Sequence, residues 1–101
     1  MTRRLVVTPE AKAQLNSLYE YLAREASLDI ATRYIDAVMV RIAGLADFPH
    51  RGTSRGDIRP GLRTVPFRRR LTIAYAVTPR EVRIIGIGRA GQDLHELLRQ
   101  S

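Results

Sequence analysis

The stretch that most constrains this chain is GLRTVPFRRRLTIAYAVTPREVRIIGIGRAGQD, residues 61–93. Short runs of β-branched and apolar residues, broken by turn residues, predict three consecutive strands at about 62–67, 70–77 and 81–88. In the second, alternation puts Leu71, Ile73, Tyr75 and Val77 on one face and Arg70, Thr72, Ala74 and Ala76 on the other. The third carries Val82, Ile84, Ile85 and Ile87. Pro66 has no N–H for a ladder, so the first of the three is expected at an edge or at a bulge. A sheet with so apolar a face needs cover, and the residues before it supply that cover.

Residues 3–8, RRLVVT, suit a short strand that ends at Thr8-Pro9. Thr8 then reads as a helix N-cap, Pro9 as a first-turn residue and Glu10 as a favourable charge at the positive end of the dipole. Ala11, Leu15, Leu18 and Leu22 recur at helical spacing with Tyr19 beside them, giving an amphipathic helix over about 9–25. Ser27 caps a second helix running to about residue 46. Its apolar stripe is Ile30, Tyr34, Val38, Ile42 and Leu45, widened by Ile35 and Met39, broad enough to touch both the first helix and the sheet. The short link makes the two helices an antiparallel hairpin, and their tyrosines, Tyr19, Tyr21 and Tyr34, are read as core or core-edge packing. FPHRGTSRGDIRPG, residues 48–61, is a Pro/Gly-rich basic loop within the domain. At the far end, Asp93 with Glu96 resembles a capping box, and Leu94, Leu97 and Leu98 give a short docked helix one apolar side. The element order is therefore β-αα-βββ-α. The fold class is α+β, a helical hairpin packed on a small antiparallel sheet, and residues 1–101 are expected to form a single domain.

Composition narrows the function. No cysteine is present, which removes disulfides and thiolate metal sites and fits a reducing cytoplasm. No segment has the length of a membrane span or the apolar core of a signal peptide, so a cytoplasmic location is expected. The net charge of +7 lies wholly in the second half: residues 1–50 hold six basic and six acidic side chains, whereas 51–101 hold eleven basic and four acidic. All basic residues but Lys12 are arginine, whose planar fork suits carboxylate and phosphate partners.

Two motifs match in letters and fail in context. Gly86, Gly88 and Gly91 spell G-x-G-x-x-G, but a dinucleotide site needs a further strand and an acidic residue about 20 positions on, and only ten residues follow Gly91. Those glycines are expected instead to let the last strand bend or let another group approach its backbone. Gly52, Ser54 and Gly56 spell G-x-S-x-G without the strand before and helix after that a nucleophile elbow requires. His50 and His95 lack companions at ligand spacing, so no metal or other cofactor is expected, and the carboxylates offer no acid/base pair.

What remains is arginine. Arg51, Arg55 and Arg59 lie in the loop, and Arg63, Arg68, Arg69, Arg70, Arg83 and Arg89 lie on or beside the strands. Alternation puts Arg63 with Val65 and Phe67, and Arg83 with Ile85, Ile87 and Arg89, so several are expected to converge on one rim at the strand ends. Such a rim attracts polyanions or an acidic protein segment. The plain alternative is a solvated rim that keeps a small protein soluble.

The run Leu45-x-x-Phe48-Pro49-x-x-Gly52, then Gly61-Leu62-Arg63, Tyr75 within IAYAV, and VRIIGIGRAGQD closing on Asp93 resembles the RelE/ParE toxin family, nearest its ParE branch. The opening VTPEAKAQLNSLYEYLA is similar to that family's start, so the resemblance covers nearly the whole chain. It implies a growth-arresting toxin of a bacterial type II toxin–antitoxin system. ParE-type members inhibit DNA gyrase without chemistry and are neutralised by a ParD-like antitoxin with a ribbon-helix-helix half. RelE-type members cleave mRNA in the ribosome, and place His or Tyr near the end of the last strand. Here Arg89 stands at that position and no tyrosine follows it. Arginine is too weak an acid to shuttle protons at neutral pH, so the gyrase-type reading is favoured over the endonuclease. A basic nucleic-acid-binding module without toxicity is the third alternative. Target or antitoxin contacts are expected at Arg63, Arg68, Arg69, Arg70, Arg83 and Arg89, and an antitoxin-facing apolar stripe at Leu15, Leu18, Leu22 and Tyr34.

Overall fold

A computed structural model describes residues 3–99. The chain runs β1 (Arg4–Val7), α1 (Pro9–Glu25), α2 (Leu28–Asp47), β2 (Thr53–Ser54), β3 (Leu62–Phe67), β4 (Leu71–Val77), β5 (Glu81–Arg89) and α3 (Leu94–Arg99). Both helix starts are built as their residues dictate. Thr8 Oγ1 accepts from the Ala11 N–H at 3.2 Å, and Ser27 Oγ accepts from the Ile30 N–H at 3.1 Å. Asp93 caps α3 through the His95 N–H at 2.9 Å.

The strands form one sheet in the order β1-β5-β4-β3-β2. The expected β3–β4–β5 meander is its antiparallel centre. Two features were not expected. β1 joins parallel to β5, with Arg4 opposite Glu81 and Val7 opposite Ile84. The basic loop contributes β2, which pairs with β3 only at Thr64 and Arg63. Pro66 lies beyond that pairing, so its missing N–H costs no ladder bond on the outer side.

Face alternation holds in β4 and divides the interior in two. Leu71, Ile73, Tyr75 and Val77 pack with Ala11, Leu15, Val38, Ile42 and Leu45 under the helical hairpin. Ala74 and Ala76 look the other way, into a smaller cluster of Leu62, Ile85, Leu97, Leu98 and Ile58 beneath α3. The small side chains let α3 approach, and so do two glycines. A Cβ on Gly86 would sit 3.1 Å from Leu97 Cγ, and one on Gly88 would meet both Leu97 and the Gln92 side chain. The G-x-G pair thus seats a helix on a strand. Burying a leucine such as Leu97 contributes about 2 kcal/mol.

Two expectations need correction. Ile30 and Met39 were placed in the core stripe of the second helix, but both are exposed. Met39 follows Val38 by one residue, a rotation of about 100° that turns it off the buried face. In β5 the register slips between Ala74–Gly86 and Tyr75–Ile84, leaving Ile85 as a bulge. Ile84 and Ile87 therefore join the hairpin-side core while Ile85 points to α3. The strict alternation expected for Arg83 through Arg89 is broken by that one extra residue.

Candidate functional site

The nine arginines singled out in the loop and on the strands do not share a surface. By register, Arg63 lies opposite Tyr75 on the hairpin face, at the open end of the β3–β4 hairpin. Its guanidinium is spent internally: Nη2 donates to the Gly52 carbonyl at 2.7 Å and to the His50 carbonyl at 3.0 Å. Beside it the fully buried Tyr75 hydroxyl donates to the Pro49 carbonyl at 2.8 Å and accepts from the Gly52 N–H at 3.1 Å. Together they clamp the loop that leaves α2. Gly52 is required there, since a Cβ would fall 2.5 Å from the Thr64 carbonyl and 2.7 Å from the Tyr75 hydroxyl.

Arg83 lies opposite Ala76 on the α3 face and pairs with Glu81 at 2.7 Å. Within the loop, Arg55 pairs with Asp57 at 3.1 Å, and the hydrogen bond from Arg55 holds the Asp57 carboxyl below its ordinary value. Arg51 stacks over the Phe48 ring at 5.1 Å. Arg59 lines a cavity with His95 and Arg99 beside α3. His50 sits in the clamped loop, away from that cavity. Ser54 Oγ accepts from the Gly56 N–H at 3.4 Å and forms no nucleophile elbow.

The remaining four arginines do come together. Arg68, Arg69 and Arg70 form the β3–β4 turn, and Arg89 ends β5 opposite Leu71, the first residue of β4. None of the four forms an ion pair among the described residues. The Arg70 N–H donates to the Phe67 carbonyl at 3.0 Å, closing the turn. Arg68 and Arg69 have φ of 49° and 60°. Positive φ at both central residues marks a type I′ turn, which Asn-Gly normally fills. A residue with a Cβ in this region costs about 1–2 kcal/mol. Arg68 is steadied by two rings, its guanidinium lying 5.0 Å from the Phe67 centroid and 5.8 Å from that of Tyr34. Those rings meet edge-on at 5.4 Å. Burial pushes the Tyr34 hydroxyl above its ordinary pKa, against the opposing charges of Arg70 and Arg68, so it stays protonated at neutral pH.

Next to this turn a cleft of about 740 Å³ opens between the helical hairpin and the sheet end. Leu18, Tyr21, Leu22, Tyr34 and Leu71 form an apolar lining, and Arg70 and Arg89 stand at its border. Three of the four apolar residues expected to face a partner line this cleft. Leu15 does not: it is 8% exposed and packs in the core under the hairpin. Tyr21 was read as core-edge packing, yet it is 52% exposed and lines the cleft. Its signal in the sequence was position, directly beside Leu22 and three residues, about one turn, from Leu18. Among the described residues no cluster of three metal-ligating side chains occurs, and no helix is long and apolar enough to cross a membrane.

Comparison with known proteins agrees with this architecture. Residues 5–94 match the family described as ParE toxin of type II toxin-antitoxin system, parDE. Among solved structures, the chain is similar to one from the chromosomal ParDE toxin–antitoxin system of P. aeruginosa. The TM-score is 0.77 at 22% identity, over 88% of this chain and 97% of that one, a likeness of fold. No curated protein sequence matches.

Proposed function

The chain belongs to the ParE toxin family of type II toxin–antitoxin systems, and on that premise we propose that it arrests growth in the bacterial cytoplasm by gripping DNA gyrase, acting as one domain and without chemistry. The observation that carries this reading is the rim of Arg68, Arg69, Arg70 and Arg89 beside an apolar cleft. Such a surface binds an acidic protein tightly, through apolar anchors and charge complementarity. RNA cleavage would also need a group to take the 2′-hydroxyl proton and another to protonate the leaving oxygen. Tyr34, whose ring lies 5.8 Å from the Arg68 guanidinium, has its pKa raised rather than lowered, which suits packing and not proton abstraction.

A type II toxin has an antitoxin partner. Here that partner is proposed to be ParD-like, with a ribbon-helix-helix half and an acidic, apolar segment that fills the cleft over Leu18, Tyr21, Leu22 and Tyr34. Tyr21→Asp would then weaken capture by the antitoxin, read as loss of co-purification of the two proteins.

Induced expression in a bacterium lacking the antitoxin tests the target. Filamentation, an SOS response and loss of supercoiling by purified gyrase are expected, with bulk mRNA intact. Rapid mRNA cleavage on ribosomes would transfer the protein to the endonuclease branch. Harmless expression with tight, salt-sensitive binding to naked nucleic acid would leave a simple binding module.

A further inference from the structure

The β3–β4 turn sets two unfavourable things in the same place. Arg68 and Arg69 both hold left-handed backbone, at φ 49° and 60°, where Asn-Gly would sit without strain. The same turn gathers Arg68, Arg69 and Arg70, with Arg89 alongside, and none has an ion-pair partner among the described residues. Mutual repulsion of these charges adds to the backbone cost. Strain of this kind persists where a site uses it.

We propose that the Arg68–Arg69 turn is the contact through which this protein engages a carboxylate-bearing surface of the protein it inhibits, with Arg69 as the residue that reads that surface. The inference rests on the reading above, that the chain acts by gripping a protein target. Arg68 is committed to the Phe67 and Tyr34 rings, which fixes the direction of the turn. Arg69, exposed at the tip, forms no ring contact or ion pair among the described residues and is free to meet a partner. A carboxylate pair suits it better than a nucleic-acid backbone does. A phosphate track needs cations in series, whereas here the cations give way on one side to the apolar cleft.

Arg69→Gly separates the two roles of the residue. Relief of strain is expected to raise the melting temperature of the purified full-length chain by about 3–6 °C. Growth arrest on induced expression is expected to fall by about tenfold or more in surviving colonies. Arg69→Lys keeps the charge and the strain, so it should leave the melt unchanged and retain part of the arrest. The proposal is overturned if Arg69→Gly melts higher and arrests growth as well as the parent, which would make the turn a tolerated defect. It is also overturned if that variant melts lower, which would make Arg69 part of the scaffold. Binding to a 20-base-pair duplex that the parent shows and Arg69→Gly loses would assign the turn to nucleic acid instead. If the parent arrests growth but leaves gyrase supercoiling intact, the gyrase target falls while the turn is still judged by Arg69→Gly. A harmless parent sinks both.

Discussion

The two ends of the β3–β4 hairpin use the same residue type in opposite ways. At the open end Arg63 turns inward and gives its protons to the His50 and Gly52 carbonyls. At the closed end Arg68, Arg69 and Arg70 sit on a strained turn without ion pairs among the described residues, joined by Arg89 from β5. The first arrangement belongs to the fold, since removing it would release a loop. The second has left-handed backbone at two residues and no ion pair among the described residues to offset it, and the use proposed for it is contact with a partner. Net charge alone does not distinguish them; hydrogen-bond partners do.

This contrast predicts stability effects at one end and functional effects at the other. The largest belongs to Gly52→Ala, whose Cβ would overlap the Thr64 carbonyl and the Tyr75 hydroxyl. It should cost about 3 kcal/mol and lower the melting temperature by roughly 15 °C. A melt within a few degrees of the parent would mean the loop is not clamped. Tyr75→Phe comes next: it leaves the Pro49 carbonyl and the Gly52 N–H without their partner, at about 2 kcal/mol by denaturant titration. Growth arrest below the melting point should survive this change. Arg63→Met keeps the packed stem and loses both carbonyl contacts, but it also removes a buried Nε that has no partner. The net loss is therefore nearer about 1 kcal/mol.

At the closed end the order inverts. Arg70→Ala with Arg89→Ala should change stability by no more than about 0.5 kcal/mol, yet weaken growth arrest or antitoxin capture by about tenfold or more. A large loss of stability with unchanged arrest would erase the distinction between the two ends. The smallest effect is electrostatic. The Asp57 carboxyl titrates below its ordinary value because of Arg55, so this pair stabilises the fold above the unfolded-state pKa. That contribution is lost as pH falls through the lowered folded-state value. The pair lies at the surface, with the Arg55 side chain 39% and the Asp57 side chain 65% exposed, so Asp57→Asn should leave the melt at pH 7 nearly unchanged and alter only the acid limb below about pH 4.

Much of the scaffold was legible because its signals are local. The caps at Thr8 and Ser27 and the alternation of Leu71, Ile73, Tyr75 and Val77 each depend on residues within a few positions. The site was legible only in its ingredients. Leu18, Leu22, Tyr34, Arg70 and Arg89 were singled out by type and spacing, and they line one cleft. Arg63 and Arg83 were singled out on the same grounds, yet they lie at the other end of the strands and on opposite faces of the sheet. The bulge at Ile85 explains why alternation failed to separate Arg83 from Arg89: one unpaired residue reverses the facing of all that follow.

By itself the order of residues determined two capped helices, a three-stranded meander and a positive excess in the second half, since periodicity and capping are decided over one or two turns of chain. Only the tertiary structure decided which arginines are consumed and which are offered. That choice hangs on contacts between distant positions: His50 and Gly52 with Arg63, Pro49 with Tyr75. Hydrogen bonds across 11 to 26 residues form only after the sheet has brought their partners together, and no local pattern encodes them.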